Sequence, residues 1–365
     1  MLKRIFLLPV LCVLFLPLFV HAAPPTFLQK LHHPDTLTST IPGNGDVNPY
    51  GVAVVPVSMG RLVAGNVLVS NFNNSGNQQG TGITIVQVTP GGLLTVFAQI
   101  DATKLPGPCP GGVGLTTALV ALRSGFVIVG SLPTSNGMSP TAQAGCLIIL
   151  DSGGNPIMTL SGGDINGPWD MTADDAGFAA ALFVSNVLNG TVDANGSIVS
   201  RGSVLRIILS TPSGGMPMVV SSQVIASQFQ ERTDINALVL GPTGLGLGAD
   251  GTLYVADTVQ SRIAAIPDAL FRTDDAGAGT TVSGGGKLNQ PLGLAIAPNG
   301  NILTVNGGDG LIVETTPAGK QVASQNIDVS QQGGGTLFGL AVVSNGNKSG
   351  VYFVDDGNNT LNILD

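Results

Sequence analysis

The chain has 365 residues, of which 52 are glycine and only 10% are charged, with a formal net charge of −8. Glycine is at about twice its usual share and charge is well under the roughly 25% of an average soluble domain, so the usual fillers of exposed helices are missing. An acidic balance without a basic footprint excludes nucleic acid and anionic membrane surfaces as partners.

The chain opens with Lys3 and Arg4, an apolar run from Ile5 to Val20, and then VHAAPP. This is the layout of a signal peptide over 1–22, with cleavage expected after Ala22. The run carries Pro9 and Pro17 and is short for a span of about 20 residues; an uncleaved anchor is the alternative. Cys12 lies inside the run and is a poor lipid-attachment site. Loss of Lys3 and Arg4 takes the charge from −8 to −10. The mature chain, 23–365, is expected to be one secreted or periplasmic domain, monomeric and not inserted in a membrane.

From there one line of sequence recurs. An apolar strand follows a Pro or Gly, a turn rich in Gly, Asn and Asp comes next, and a second strand ends on Asn or Asp. The clearest copies are PTGLGLGADGTLYVAD and PLGLAIAPNGNILTVN. The turns use residues that tolerate positive φ, as hairpins require. Six copies begin near 48, 111, 167, 241, 290 and 336, with anchors at Gly51, Gly114, Asp170, Gly244, Gly293 and Gly339. Segments such as GITIVQV, GCLIIL, SVLRIIL and GLIVETT lie between them, giving about four strands per unit. Four-stranded units that cannot bury both faces alone, repeated at this period, predict an all-β, six-bladed β-propeller. After VYFVDD only LNILD remains, so the last unit lacks a strand. TFLQKL or TLTSTI near the N-terminus is expected to supply it and close the ring; a frayed tail is the alternative.

The two clearest copies resemble NHL repeats, and the resemblance extends loosely over the whole mature chain. The FLQK…NPYGVA opening and the GPW element also resemble a group of exported bacterial propellers of uncharacterised function. This implies a fold and no activity. Lactonases of the gluconolactonase and regucalcin type share the architecture, and the resemblance puts their metal ligands at positions occupied here by Tyr50, Val113, Trp169, Thr243, Leu292 and Phe338. None is a carboxylate or carboxamide. No mature blade carries a histidine, which disfavours histidine-bound zinc, a Ser-His-Asp system and a histidine base. No cofactor is expected; a structural calcium stays open. DANGS at 193–197 is reminiscent of a calcium loop but lacks the glycine and distal glutamate of one.

The second strands end on Asn71, Gly130, Asn186, Asp257, Asn306 and Asp355. The Asx set reads either as oxygen ligands or as turn caps bonding nearby N–H groups. Tyr50, Trp169 and Phe338 suggest an apolar rim with stacking potential at the central mouth, with ordinary packing between neighbouring blades as the alternative, and Asp170, in place of a glycine, is a site candidate beside it. Asn73, Asn189, Asn195, Asn347 and Asn358 begin glycosylation sequons. Long connections on one face, called the top, run from Asn71 to Gly82, Ser131 to Gly145, Val187 to Gly202 and Ser227 to Asn236. Loops of that length on a rigid scaffold usually carry binding. The expected function is therefore a binding module taking a small molecule, glycan or protein at the top face; the alternative is a hydrolase or lyase of the gluconolactonase/regucalcin-like class. Cys109 and Cys146 fall on the same face of one blade and are expected to form a disulfide, with two separate buried thiols as the alternative.

Overall fold

The computed structural model describes residues 26–212, 214–345 and 348–365; the signal segment and the sequon at Asn347 lie outside the described residues. Six antiparallel sheets stand around an axis as a closed propeller. The first blade is β2 (Val47–Val54), β3 (Val67–Asn73), β4 (Thr84–Val88) and β5 (Leu94–Gln99). The second is β6 (Leu115–Ala121), β7 (Val127–Ser131), β8 (Cys146–Leu150) and β9 (Pro156–Ser161). The third is β10 (Pro168–Asp175), β11 (Ala179–Asn186), β12 (Val199–Ser210) and β13 (Met218–Asp234), with a short fifth strand β14 (Leu238–Leu240). The fourth is β15 (Pro242–Leu247), β16 (Leu253–Asp257), β17 (Arg262–Ile266) and β18 (Thr280–Gly284). The fifth is β19 (Pro291–Ile296), β20 (Ile302–Asn306), β21 (Leu311–Thr315) and β22 (Gln321–Asn326). The sixth joins β23 (Leu337–Asn345), β24 (Lys348–Asp355) and β25 (Thr360–Leu364) to the N-terminal β1 (Pro34–Ser39).

Each repeat supplies the inner hairpin of a blade because its apolar, glycine-rich first strand suits the crowded axis and its Asx-Gly turn reverses the chain. Of the two N-terminal segments, TLTSTI provides the closing strand: β1 pairs with β25 from Pro34↔Leu364 to Ser39↔Thr360. TFLQKL instead forms a 3-10 turn over Leu28–Lys30. One expected top loop is different. Most of 227–236 is strand, because β13 runs on to Asp234 and turns back into β14.

Cys109 and Cys146 form a disulfide, Cα atoms 5.2 Å apart, across 37 residues. Closing a loop of that size contributes about 3–4 kcal/mol in the chain-entropy account.

The chain's two glutamates are both buried, and one of them anchors the ring closure. The Glu314 carboxylate accepts from the N–H groups of Phe27 (3.0 Å) and Leu28 (2.8 Å) and from Asn299 Nδ2 (2.9 Å) and Asn301 Nδ2 (2.6 Å). Burial alone would push its pKa up; the hydrogen bonds, led by that from Leu28, outweigh it and hold the group below its ordinary 4.5. A depressed folded pKa gives stability that is present above the unfolded value and is lost as pH falls through the folded one. Glu314→Gln is thus expected to lower stability by roughly 1–3 kcal/mol at neutral pH and to flatten its decline on acidification. Urea midpoints at neutral and acid pH check this; an unchanged acid slope would count against it.

Candidate functional site

The six inner strands meet at the axis, and their top ends close it. Tyr50 stacks on Phe338 with ring centroids 3.9 Å apart and on Phe72 at 4.5 Å. Trp169 lies 6.5 Å from Tyr50 and 6.4 Å from Phe338. Leu132, Leu188, Leu238, Leu240 and Leu292 complete the same cluster. Tyr50, Trp169 and Phe338 are each only 3% exposed, so they form a buried plug, in line with packing between blades and not with a stacking rim. β14 has no counterpart in the other blades and contributes Leu238 and Leu240 to it. Among the positions where the lactonase resemblance puts metal ligands, only Tyr50 and Thr243 carry side-chain oxygens. The Thr243 hydroxyl is engaged with Thr258 Oγ1 at 2.7 Å and Ala256 O at 3.1 Å. The residues present at the axis do not fit a metal.

Below the plug a shaft of about 420 Å³ follows the inner strands, and Asp170 lines it. Trp169 and Asp170 are consecutive, yet one enters the plug and the other the shaft. Asp170 stands where five blades have glycine, and its Oδ2 accepts from the Leu245 N–H of the next blade at 2.8 Å. Burial, opposed by the N–H groups of Leu245 and Met171, pushes its pKa up to about 7.

The Asx residues at the ends of the second strands are fully buried and do not converge. Asn71 Nδ2 donates to Thr40 O at 3.0 Å, and Asn186 Oδ1 accepts from Asn166 N–H at 2.9 Å. Asp257 pairs with Arg262 Nε at 2.8 Å, and Asn306 Nδ2 donates to Lys287 O at 2.7 Å. Asp355 accepts from the N–H groups of Ser330 and Gly357, both at 3.0 Å. Each fastens a top loop of its own blade or of the one beside it.

Off the axis, where the first and sixth blades meet on the top face, lies a chamber of about 530 Å³. Asn48, Asn73, Gln79, Asn236, Gln332 and Asp356 are among its walls, and Asp356 is the only ionisable side chain lining it. Asn48 has a left-handed backbone, φ 64°, a conformation asparagine tolerates. Its N–H donates to Asn359 Oδ1 at 2.6 Å, which ties the two blades together. Asn73 ends β3 and is 2% exposed; its Nδ2 donates to Asn77 Oδ1 at 2.7 Å. Gln79 Nε2 donates to Ile235 O at 3.3 Å. Of the remaining oxygens, Asn73 Oδ1 and Gln79 Oε1 have no partner among the described residues. The buried Tyr50 hydroxyl meets the Asn48 carboxamide; burial first, then the Asp356 charge, raises its pKa against that hydrogen bond. Asp356 follows Asp355 at the end of β24, and burial, then the charges of Asp355 and Asp328, push it up to about 8. Asn48, Asn73, Gln79 and Asp356 were not among the sequence candidates. The available signal was the Asp-Asp pair ending β24, where the other blades end on a single Asx or Gly, together with the long loop after Asn71.

No family model matches the chain, and no curated protein sequence does; the NHL resemblance therefore rests on the repeat residues themselves. Solved structures do match. A gluconolactonase from Xanthomonas campestris is 14% identical with a TM-score of 0.54, over 91% of this chain and 88% of that one. Regucalcin from Agrobacterium tumefaciens, a calcium-binding protein, is 14% identical with a TM-score of 0.52, over 90% and 94%. The PQQ-bound aldose sugar dehydrogenase of Streptomyces coelicolor is 16% identical with a TM-score of 0.54, over 91% and 97%. At these identities the likeness is one of fold: the protein is a six-bladed β-propeller with structural neighbours in the gluconolactonase/regucalcin-like class.

Proposed function

We propose that the protein is a hydrolase or lyase of the gluconolactonase/regucalcin-like propeller class, acting on a small, uncharged polyhydroxy substrate in the top-face chamber and not on the axis. The supporting observation is the chamber's lining. Exposed Asn77, Asn236 and Gln332 offer donors and acceptors to substrate hydroxyls, and Asp356 is, among the described residues, the one lining group able to hold or move a proton. The gluconolactonase and regucalcin neighbours favour this class over a bare binding module. The closed plug favours the second reading, a module that binds the same ligands without turning them over. The disulfide fits an exported chain, as the leader suggests.

A panel of sugar lactones and esters, followed by acid release and in parallel by calorimetry, separates the two. Turnover that drops about a hundredfold or more in Asp356→Asn supports the hydrolase reading. Calorimetric binding without any turnover would establish the module instead.

A further inference from the structure

We propose that the floor of the chamber is a binding site for a hard divalent cation of calcium's size, held by oxygens of Asn48, Asn73, Gln79 and Asp356. The inference rests on the chamber being the working site, and it places the ion beside the axial plug and not on the axis.

Two oxygens of the chamber wall, Asn73 Oδ1 and Gln79 Oε1, have no partner, and Asn48, whose carboxamide meets the Tyr50 hydroxyl, lines the same wall. A buried polar atom left without a partner costs about 1–3 kcal/mol, and a cation bound between Asn73 Oδ1 and Gln79 Oε1 would remove that cost at both. The orientation of two of the amides is set by their neighbours. Asn73 Nδ2 is committed to Asn77 Oδ1 and Gln79 Nε2 to Ile235 O, which leaves their oxygens to the cavity. Among the described residues no Lys, Arg or His lines the chamber, and Asp356 has Asp355 and Asp328 close enough to act on it. Arg232 is already paired with Asp234 at 2.8 Å. The local field therefore favours a positive ligand.

The donor set also selects the ion. It holds neither sulfur nor imidazole, and no group of three or more His, Cys, Asp or Glu among the described residues is placed to hold a metal. Soft transition metals are disfavoured. Carboxamides from β2 (Asn48), the end of β3 (Asn73) and the following loop (Gln79) supply neutral oxygens of irregular arrangement, which suits calcium's 6–8 ligands better than magnesium's strict octahedron. One carboxylate among neutral oxygens makes a weak site, with half-saturation at about 0.1–1 mM as in extracellular modules. Asn236, the Asn77 amide nitrogen and the Gln332 carbonyl remain at the exposed rim for a substrate.

Terbium luminescence tests this on the purified full protein, using Tb³⁺ as the probe in place of calcium. Tyr50 and Trp169, with ring centroids 6.5 Å apart, should sensitise it. The expected result is saturable emission that calcium displaces and an equal amount of magnesium does not. Asp356→Asn and Asn73→Ala should each raise half-saturation tenfold or more. Asp193→Asn, in the exposed 193–197 loop, should leave it unchanged. Thermal melts of the variants separate a lost site from a lost fold. Absence of saturable emission up to roughly 1 mM, or emission that survives Asp356→Asn and is lost in Asp193→Asn, overturns the proposal. The readout needs no turnover. Cation binding without turnover would sink the hydrolase reading alone, and turnover without a bound cation would sink this one alone.

Discussion

Removal of residues 26–41 is expected to collapse the cooperative stability of the whole ring. β1 is the outer strand of the sixth blade, and without it β25 presents an unpaired edge. Phe27, Leu28 and Leu31 are buried in the core between the fifth and sixth blades. Stripping them forfeits about 1.5–3 kcal/mol each. Glu314 would be left with two hydrogen bonds in place of four, and Asn71 would lose its bond to Thr40 O. The combined loss, on the order of 5 kcal/mol or more, is comparable with the whole stability of an ordinary domain. The result should be a melting temperature lower by more than about 10 °C, or no cooperative transition at all. An unchanged midpoint would show that the ring closes without its N-terminal strand.

The second large effect is expected at the axis. A Cβ at Gly293 would lie 2.0 Å from Phe338 O and 2.7 Å from Leu340 Cδ2. The nearer atom is backbone, so a methyl group can be accommodated only if the fifth and sixth blades separate. Gly293→Ala should cost roughly 3 kcal/mol, at the upper end for overpacking. Gly43→Ala, where no atom lies within 4 Å, should fall within about 0.5 kcal/mol of the parent. Denaturant midpoints of the pair decide it, and equal midpoints would contradict the close approach. Gly339 is in the same position, with a built Cβ 2.1 Å from Tyr50 O. The third blade solves the problem differently, by letting the Asp170 carboxylate take the next blade's Leu245 N–H.

The ring, its closure and the disulfide were legible because they follow from local pattern. Period-two strands, Asx-Gly turns and a missing fourth strand are all written in runs of contiguous residues. The plug and the chamber were not. Tyr50 meets Phe338 only because the ring closes, and the 287 residues between them carry no sign of it. The same distance in sequence hides the chamber, whose walls combine Asn48 and Asn73 from the first blade with Gln332 and Asp356 from the sixth. Strand-end Asx residues were legible as a set but not as to use, since hydrogen-bond partners on neighbouring loops decide whether an oxygen is free. Repetition concealed the exception: Asp355 fastens a loop like its counterparts, and Asp356, one residue further, faces the cavity.

The most direct test of the chamber as the working site is to fill it. Ser75 is exposed and lines the chamber, and the two described cysteines are bonded to each other, so Ser75→Cys introduces an addressable thiol. Turnover of the lactone and ester panel and terbium emission are then measured before and after attachment of a bulky maleimide. Both should persist in the unlabelled variant and disappear on labelling. Survival of both with the chamber filled would place the site elsewhere on the propeller.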